Sequence, residues 1–201
     1  MIILGVAGGI GSGKSFVTQL FERNHGAVGV YADRIAHEAL EREDVIQELT
    51  TRFGAGILDE SGKVVRSRMA ALVFGDGESQ AAHRKFLESV LHPRVREEIH
   101  RRVEELRRRG AALVILDIPL LFESGWDRDC NGVVFVDASA ATRMARTAAR
   151  GWSSTAHGQR EAHQLPLEEK KKRSQWVVSN EGDASLTERQ VADLLQTVKG
   201  L

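Results

Sequence analysis

The chain has a single cysteine in 201 residues, Cys130, so it can form neither an internal disulfide nor a thiolate cluster. Such usage fits a reducing compartment. An excess of one charge is also missing. Basic and acidic side chains number 28 each, which removes the electrostatic argument for nucleic acid or a membrane surface as partner. No apolar stretch is long enough to span a bilayer, and the opening MIILGVAGGIG runs into glycines, not into a cleavage site. The histidines form no metal spacing: His157 and His163 are six apart with no acidic or thiol partner pattern, and His92 precedes Pro93, so no structural zinc is expected. Repeats and low-complexity tracts are absent. The expectation is a soluble, cytoplasmic protein with no nucleic-acid and no membrane partner, long enough to bury its own core as one domain. Oligomeric state is not legible.

What is present is an alternation. Short apolar runs at Ile2–Ala7, Ala27–Tyr31, Leu113–Ile118, Gly132–Val136 and Trp176–Ser179 are separated by amphipathic stretches. Runs of that length, mostly Val, Ile and Leu, suit strands buried on both faces. The economical fold is α/β: a parallel five-stranded sheet flanked by helices. Between the second and third runs lie about 80 residues, far more than one crossover helix requires. They read as a helical insertion over about 34–110, inside one domain covering 1–201. Its expected helices are DRIAHEALERE, DVIQELTTRFG, SRMAALVF, ESQAAHRKFLESVLH and PRVREEIHRRVEELRRRG, with a turn-rich ILDESGKV among them. Pro93 is expected at the first position of the last helix and Gly110 at its stop. The run Arg107–Arg109 reads as a solvated helix end.

The chemistry begins at Gly8. GGIGSGKS fits G-x-x-x-x-G-K-[ST], lying after a strand and before the helical FVTQLFERN. In such a loop the backbone N–H groups of Gly8, Gly9, Ile10, Gly11, Ser12 and Gly13 turn inward around phosphate, and Phe16 follows in the first helical turn. Lys14 should reach the β- and γ-phosphates, and the Ser15 hydroxyl should ligate Mg²⁺. The predicted ligands are therefore ATP and Mg²⁺.

Three further features are weaker. LVILD ends a strand in Asp117, where a phosphate-loop enzyme brings an aspartate to its metal. The loop that follows, Pro119, Leu120, Leu121 and Phe122, lies beyond the strand's carboxyl end, where ligands gather in open parallel sheets. Substrate lining and burial against the insertion both remain open for it. Asp33, past the second strand, has two readings: a cap for the next helix, or the group that holds a phosphoryl acceptor. The segment around 146–165 carries Arg146, Arg150 and Arg160 on polar sequence, and reads either as an arginine-bearing lid or as a solvated helix–turn–helix. A guanine-reading N-K-x-D is absent, since Asn180 in VSNEGD has no lysine after it, which argues against a GTP switch; another small-molecule kinase of the same build is the nearer alternative.

GGIGSGKS, the Y-A-D at Asp33, the LHP at His92, DIPLLFE, and QLPLEEK followed by Asn180 occur in this order over nearly the whole chain. Together they resemble the dephospho-coenzyme A kinase family. The resemblance implies a phosphate-loop kinase core with a helical region for the coenzyme A moiety and an arginine-bearing lid. It also implies transfer of the ATP γ-phosphoryl to the ribose 3′-hydroxyl of dephospho-coenzyme A, with Mg²⁺. Carried over, Lys14 and Ser15 take the triphosphate and metal, Asp117 joins Ser15 at the metal, and Asp33 is the base. Arg146 or Arg150 serves as lid arginine, and His92 with Pro119–Phe122 falls to the substrate. Two positions depart from the pattern. Tyr31 stands where the family commonly has Asp in D-A-D, and Ser174–Gln175 stands where it commonly has Ala-Asp.

Overall fold

A computed structural model describes residues 1–75, 77–162 and 164–198, apart from the side chains of 155, 156 and 159; His163 lies outside the described residues. The chain divides into two compact units, Met1–Tyr31 with Glu105–Leu201, and Ala32–Glu104.

The first unit is built on five parallel strands in the order β2-β3-β1-β4-β5. They are β1 (Ile2–Gly8), β2 (Val28–Tyr31), β3 (Leu113–Asp117), β4 (Gly132–Asp137) and β5 (Trp176–Ser179). All five match the apolar runs of the sequence to within a residue or so. The inner strands lie within the core on both faces, which is why they read as unbroken runs and not as alternation. Helix α1 (Lys14–His25) puts Val17, Leu20 and Phe21 against Leu4 and Val6 of β1. In the same core sit residues of the last helix, Ala184–Val198, whose Val191, Leu194 and Leu195 are buried. On β1's other face Gly5 leaves room for Leu121: a Cβ there would fall 2.7 Å from Leu121 Cδ2 and 3.0 Å from Cys130 Sγ. Burial pushes the Cys130 thiol up to about 12, so it is a packing group without thiolate character.

The second unit is helical. It holds α2 (Ala32–Ala39), α3 (Glu43–Phe53), α4 (Arg66–Val73) and most of α5 (Glu78–Arg108). Its core gathers Val45 and Leu49 of α3, Ile57, Met69 and Val73 of α4, and Val90 of α5. The turn-rich ILDESGKV folds back on itself: Leu58 and Val64 form an antiparallel bridge, and Asp59 accepts the N–H groups of Ser61 (2.9 Å) and Lys63 (3.0 Å).

One expectation fails here. Pro93 does not open a helix; it lies inside α5, which fuses two expected helices into 31 residues. Proline has no N–H for the Ser89 carbonyl four residues back, and its ring crowds that carbonyl. Side chains fasten the helix across this point without filling the gap. The Arg94 guanidinium donates to Val90 O at 2.8 Å and pairs with Asp44 (2.9 Å) and Glu48 of α3. Pro93→Ala restores the missing donor at an exposed site. It should therefore raise unfolding stability by about 1 kcal/mol or more, read as a higher urea midpoint at unchanged slope.

Candidate active site

The loop from Gly8 to Gly13 leaves β1 in the middle of the sheet and enters α1 directly at Lys14. Gly11 and Gly13 have φ of +78° and +93°, a region closed to most side chains. Space closes it as well. A Cβ on Gly11 would meet the Arg143 carbonyl oxygen at 2.5 Å, and one on Gly13 would run into the Asn180 amide. The loop backbone is thus pressed from outside and presents its amides inward, at the N-terminus of α1.

Lys14 Nζ rests 3.4 Å from Gly8 O and 3.5 Å from Gly9 O, spanning the loop. The Ser15 hydroxyl donates to Asp117 Oδ2 at 2.6 Å, across β1 and β3. Asp117 is buried at the carboxyl end of β3. A hydroxyl and a carboxylate so placed are two hard oxygen donors, the type Mg²⁺ takes while keeping water and phosphate oxygens for its other positions. No group of three or more His, Cys, Asp or Glu forms a metal cage among the described residues, so any Mg²⁺ here would depend on the nucleotide.

The loop's outer wall comes from helix α6 (Ala140–Ala148), which follows β4, and from the segment after β5. Ser139 caps α6, accepting from Thr142 N at 3.2 Å. Glu181 accepts from the Thr142 hydroxyl (2.5 Å) and from the amide and hydroxyl of Ser139 (both 2.7 Å), and these donors hold its carboxyl down at about 2. Arg146 donates to Ser12 O (3.0 Å), Gly11 O (3.4 Å) and Asn180 O (2.9 Å). Asn180 in turn donates to Ser12 O at 2.7 Å, and its carbonyl accepts from Thr187 at 3.2 Å. Arg146, read from sequence as a lid arginine, here braces the underside of the loop. Asn180 entered the sequence reading as a rejected guanine reader and as one mark of the family pattern, without a role at the loop, and its place after the last strand is the signal that could have given it one.

Helix α7 (Ser154–Ala162) and helix α8 (Leu167–Arg173) continue from α6. Arg150 is exposed in the turn between α6 and α7, next to Gly151 at φ +83°. Arg160 lies over the Trp152 ring, 4.0 Å from its centre. Of the loop after β3, Pro119 and Leu120 reach the surface while Leu121 and Phe122 are buried. Phe122 packs under the Arg173 guanidinium at 4.5 Å. Those two side chains are buried within the first unit, Leu121 beside Gly5 of β1 and Phe122 beneath α8, where the burial reading had the insertion as their partner. Glu123 closes this loop on α8: it pairs with buried Lys170 at 2.8 Å and accepts Leu165 N at 2.9 Å. Burial raises the Glu123 carboxyl, but these two donors outweigh it and leave it below its usual range.

Asp33 and His92 belong to the second unit, both exposed. Helix α2 starts at Ala32, so Asp33 sits within its first turn and not at the cap. Its carboxylate has no hydrogen-bond partner among the described residues. Phe16 is half-buried against the sheet core.

A sequence model of the dephospho-CoA kinase family matches residues 2–185. The chain belongs to the dephospho-CoA kinase family. A dephospho-CoA kinase of Thermus thermophilus is 40% identical over 200 residues, 99% of this chain and 93% of its own. One from Symbiobacterium thermophilum is 39% identical over 193 residues, 95% of this chain and 79% of its own. A crystal structure from Thermus thermophilus superposes with a TM-score of 0.78 at 38% identity, covering 98% of this chain and 96% of the other. Shikimate kinase from Acinetobacter baumannii shares the fold alone, with a TM-score of 0.52 at 15% identity over 100% and 94% of the two chains. A dephospho-CoA kinase from Campylobacter jejuni shares the fold as well, with a TM-score of 0.69 at 22% identity over 98% and 96% of the two chains. No helix among the described residues is long and apolar enough to cross a membrane.

Asn180→Ala removes a buried donor from the loop carbonyl of Ser12. It should cost about 1–3 kcal/mol of stability and should also reduce the rise in melting temperature that ATP gives. A full ATP-induced rise in the variant would show that the loop holds its shape without this brace.

Proposed function

We propose that the chain transfers the γ-phosphoryl group of ATP to the ribose 3′-hydroxyl of dephospho-coenzyme A, giving coenzyme A and ADP. The observation that carries this is the Ser15–Asp117 hydrogen bond beside a complete phosphate loop, in a member of this family. In the reaction a bond forms between the 3′-oxygen and the γ-phosphorus, and the bond from that phosphorus to the β–γ bridging oxygen breaks. The hydroxyl proton goes to Asp33, and ADP leaves.

Phosphoryl transfer depends on position and charge more than on covalent chemistry, so each residue's part follows from what it can hold. The loop amides and the N-terminus of α1 take the β-phosphate. Lys14, now stretched over the Gly8 and Gly9 carbonyls, exchanges those weak acceptors for β- and γ-phosphate oxygens. Ser15 and Asp117 would hold Mg²⁺, which when bound neutralises charge developing on the bridging oxygen. Asp33 orients the acceptor hydroxyl; its exposed, unpartnered carboxylate suits a group kept for substrate. Arg150, at the turn beside Gly151, is the arginine we assign to the transferring phosphoryl, because Arg146 is committed to the loop carbonyls. Pro119, Leu120 and His92 are assigned to the acceptor, as solvent-facing members of the two segments the family pattern marks.

Incubation with ATP, Mg²⁺ and a panel of acceptors tests the reading, with ADP release as the signal. Dephospho-coenzyme A alone should respond. Release with a nucleoside monophosphate or sugar instead would overturn the substrate. Lys14→Ala should lower turnover by about a hundredfold or more with the fold intact, as for other electrostatic clamps. Turnover within threefold of the parent would remove Lys14 from the mechanism. Asp33→Asn separates binding from transfer. ATP should stabilise the variant as it does the parent, while turnover at saturating ATP falls by about a hundredfold. Parental turnover would pass the orienting role to another carboxylate.

A further inference from the structure

Helix α7 is fastened along its body and again just beyond its C-terminus, by contacts of different kinds. Beyond its C-terminus, Lys170 is 2% exposed and donates to Gln164 Oε1 at 2.9 Å while pairing with Glu123. With Leu165 N also on Glu123, that joint has its charges matched. The other fastening is less complete. Glu161 of α7 pairs with Nη1 of Arg143 on α6. Arg143 is buried, and its Nε has no hydrogen-bond partner. His157, also buried, shares a hydrogen bond with Thr147 Oγ1 (3.0 Å), and its Nε2 stands 3.7 Å from Glu161 Oε2. Glu161 itself remains one-third exposed.

What gives this pair meaning is the surface it touches. The Arg143 guanidinium lies against Gly9 of the phosphate loop: a Cβ on Gly9 would sit 2.9 Å from Nη1 and 3.2 Å from Cζ. A guanidinium carries five donors and a permanent charge, and this one has a donor unspent. It stands one residue's thickness from the place where a triphosphate must lie. Glu161 neutralises that charge and, by the same contact, docks α7. An anion in the loop and the Glu161 carboxylate therefore draw on one cation.

We propose that Glu161 is a counter-charge that sets nucleotide affinity: it competes with the triphosphate for Arg143, so that docking of α7 and occupancy of the loop oppose each other. The proposal rests on the loop binding a nucleotide. By linkage the opposition is reciprocal, so whatever α7 docking costs the nucleotide, the nucleotide costs α7 docking. Turning about the Lys170–Glu123 joint, a released α7 carries Arg160, and the Gly151 turn lets Arg150 move with it.

The test uses the signs of two single changes. Glu161→Gln keeps the shape and removes the competing charge, so ATP should bind tighter by about fivefold, measured by calorimetry without acceptor. Arg143→Gln removes the cation, and ATP should bind weaker by a similar factor. A purely structural pair would give the same sign for both, because either change would loosen the same helix. In the parent, adding ATP should speed amide exchange across 154–162, and Glu161→Gln should show the faster exchange already without nucleotide. Equal or weaker ATP binding by Glu161→Gln overturns the proposal. Should Arg143→Gln melt below the assay temperature, the Glu161→Gln arm decides alone. A parent that binds no ATP would instead refute the nucleotide reading itself, which keeps the two failures apart.

Discussion

The phosphate loop has no room on its outer side, and the rest of the first unit is arranged around that shortage. Gly9 faces the Arg143 guanidinium, Gly11 the Arg143 carbonyl, and Gly13 the Asn180 amide, each too close for a side chain. Pressed this way, the backbone turns its amides toward the only open direction, where an anion can be held. The sheet order explains what does the pressing. With β1 between β3 and β4, the helix after β4 and the turn after β5 both fall beside the loop. On the other side the same order brings β3 alongside β1, and Asp117 comes within a hydrogen bond of Ser15.

Much of this could be read from the sequence, and the failures have physical causes. The three inner strands are buried on both faces and give unbroken apolar runs, and the edge strands β2 and β5 were found from shorter apolar runs although most of their residues reach solvent. The loop declared itself because its glycines answer a steric demand that no other residue meets. Pro93 misled because the same residue that favours a helix start is tolerated inside one when a neighbouring side chain fastens the helix across the gap. That neighbour, Arg94, acts through a tertiary contact with α3 that sequence spacing does not encode. The contacts of Arg146 were illegible for a related reason. Its partners are backbone carbonyls, and nothing in a side-chain pattern says that an arginine will be spent on them. In the loop after β3, four apolar residues look alike in sequence, but the turn sends Leu121 and Phe122 inward and leaves Leu120 out.

The two departures from the family pattern replace carboxylates with neutral groups, and both replacements are built into packing. Gln175 Oε1 accepts Val133 N at 2.7 Å and so extends the pairing between β4 and β5. The Tyr31 hydroxyl donates to Glu22 Oε2 at 2.5 Å, while Gly29 N donates to the other Glu22 oxygen at 3.0 Å. Gly29 has no side chain because the Tyr31 ring lies there, 2.7 Å from where its Cβ would stand. The ring is turned back along β2, away from the strand's carboxyl end.

Tyr31 is the register partner of Asp117, so this exchange alters the charge beside the Ser15–Asp117 pair. A carboxylate at that position would add a second negative charge next to a site that must receive a polyanion. Its absence lessens repulsion there, and it leaves Asp117 as the charge beside Ser15 on this sheet edge. Glu161 works in the opposite sense, on the far side of the same loop, by neutralising Arg143. The electrostatic character of the loop is therefore not fixed by Lys14 alone. It also draws on Arg146 at the loop carbonyls, on a cation behind the loop held by an acid from α7, and on a neutral tyrosine at the end of β2 where the family pattern has an acid. Of these, only the acid on α7 belongs to an element that a turn at Gly151 can set free, so it is there that the field around the loop can change while the sheet stays still.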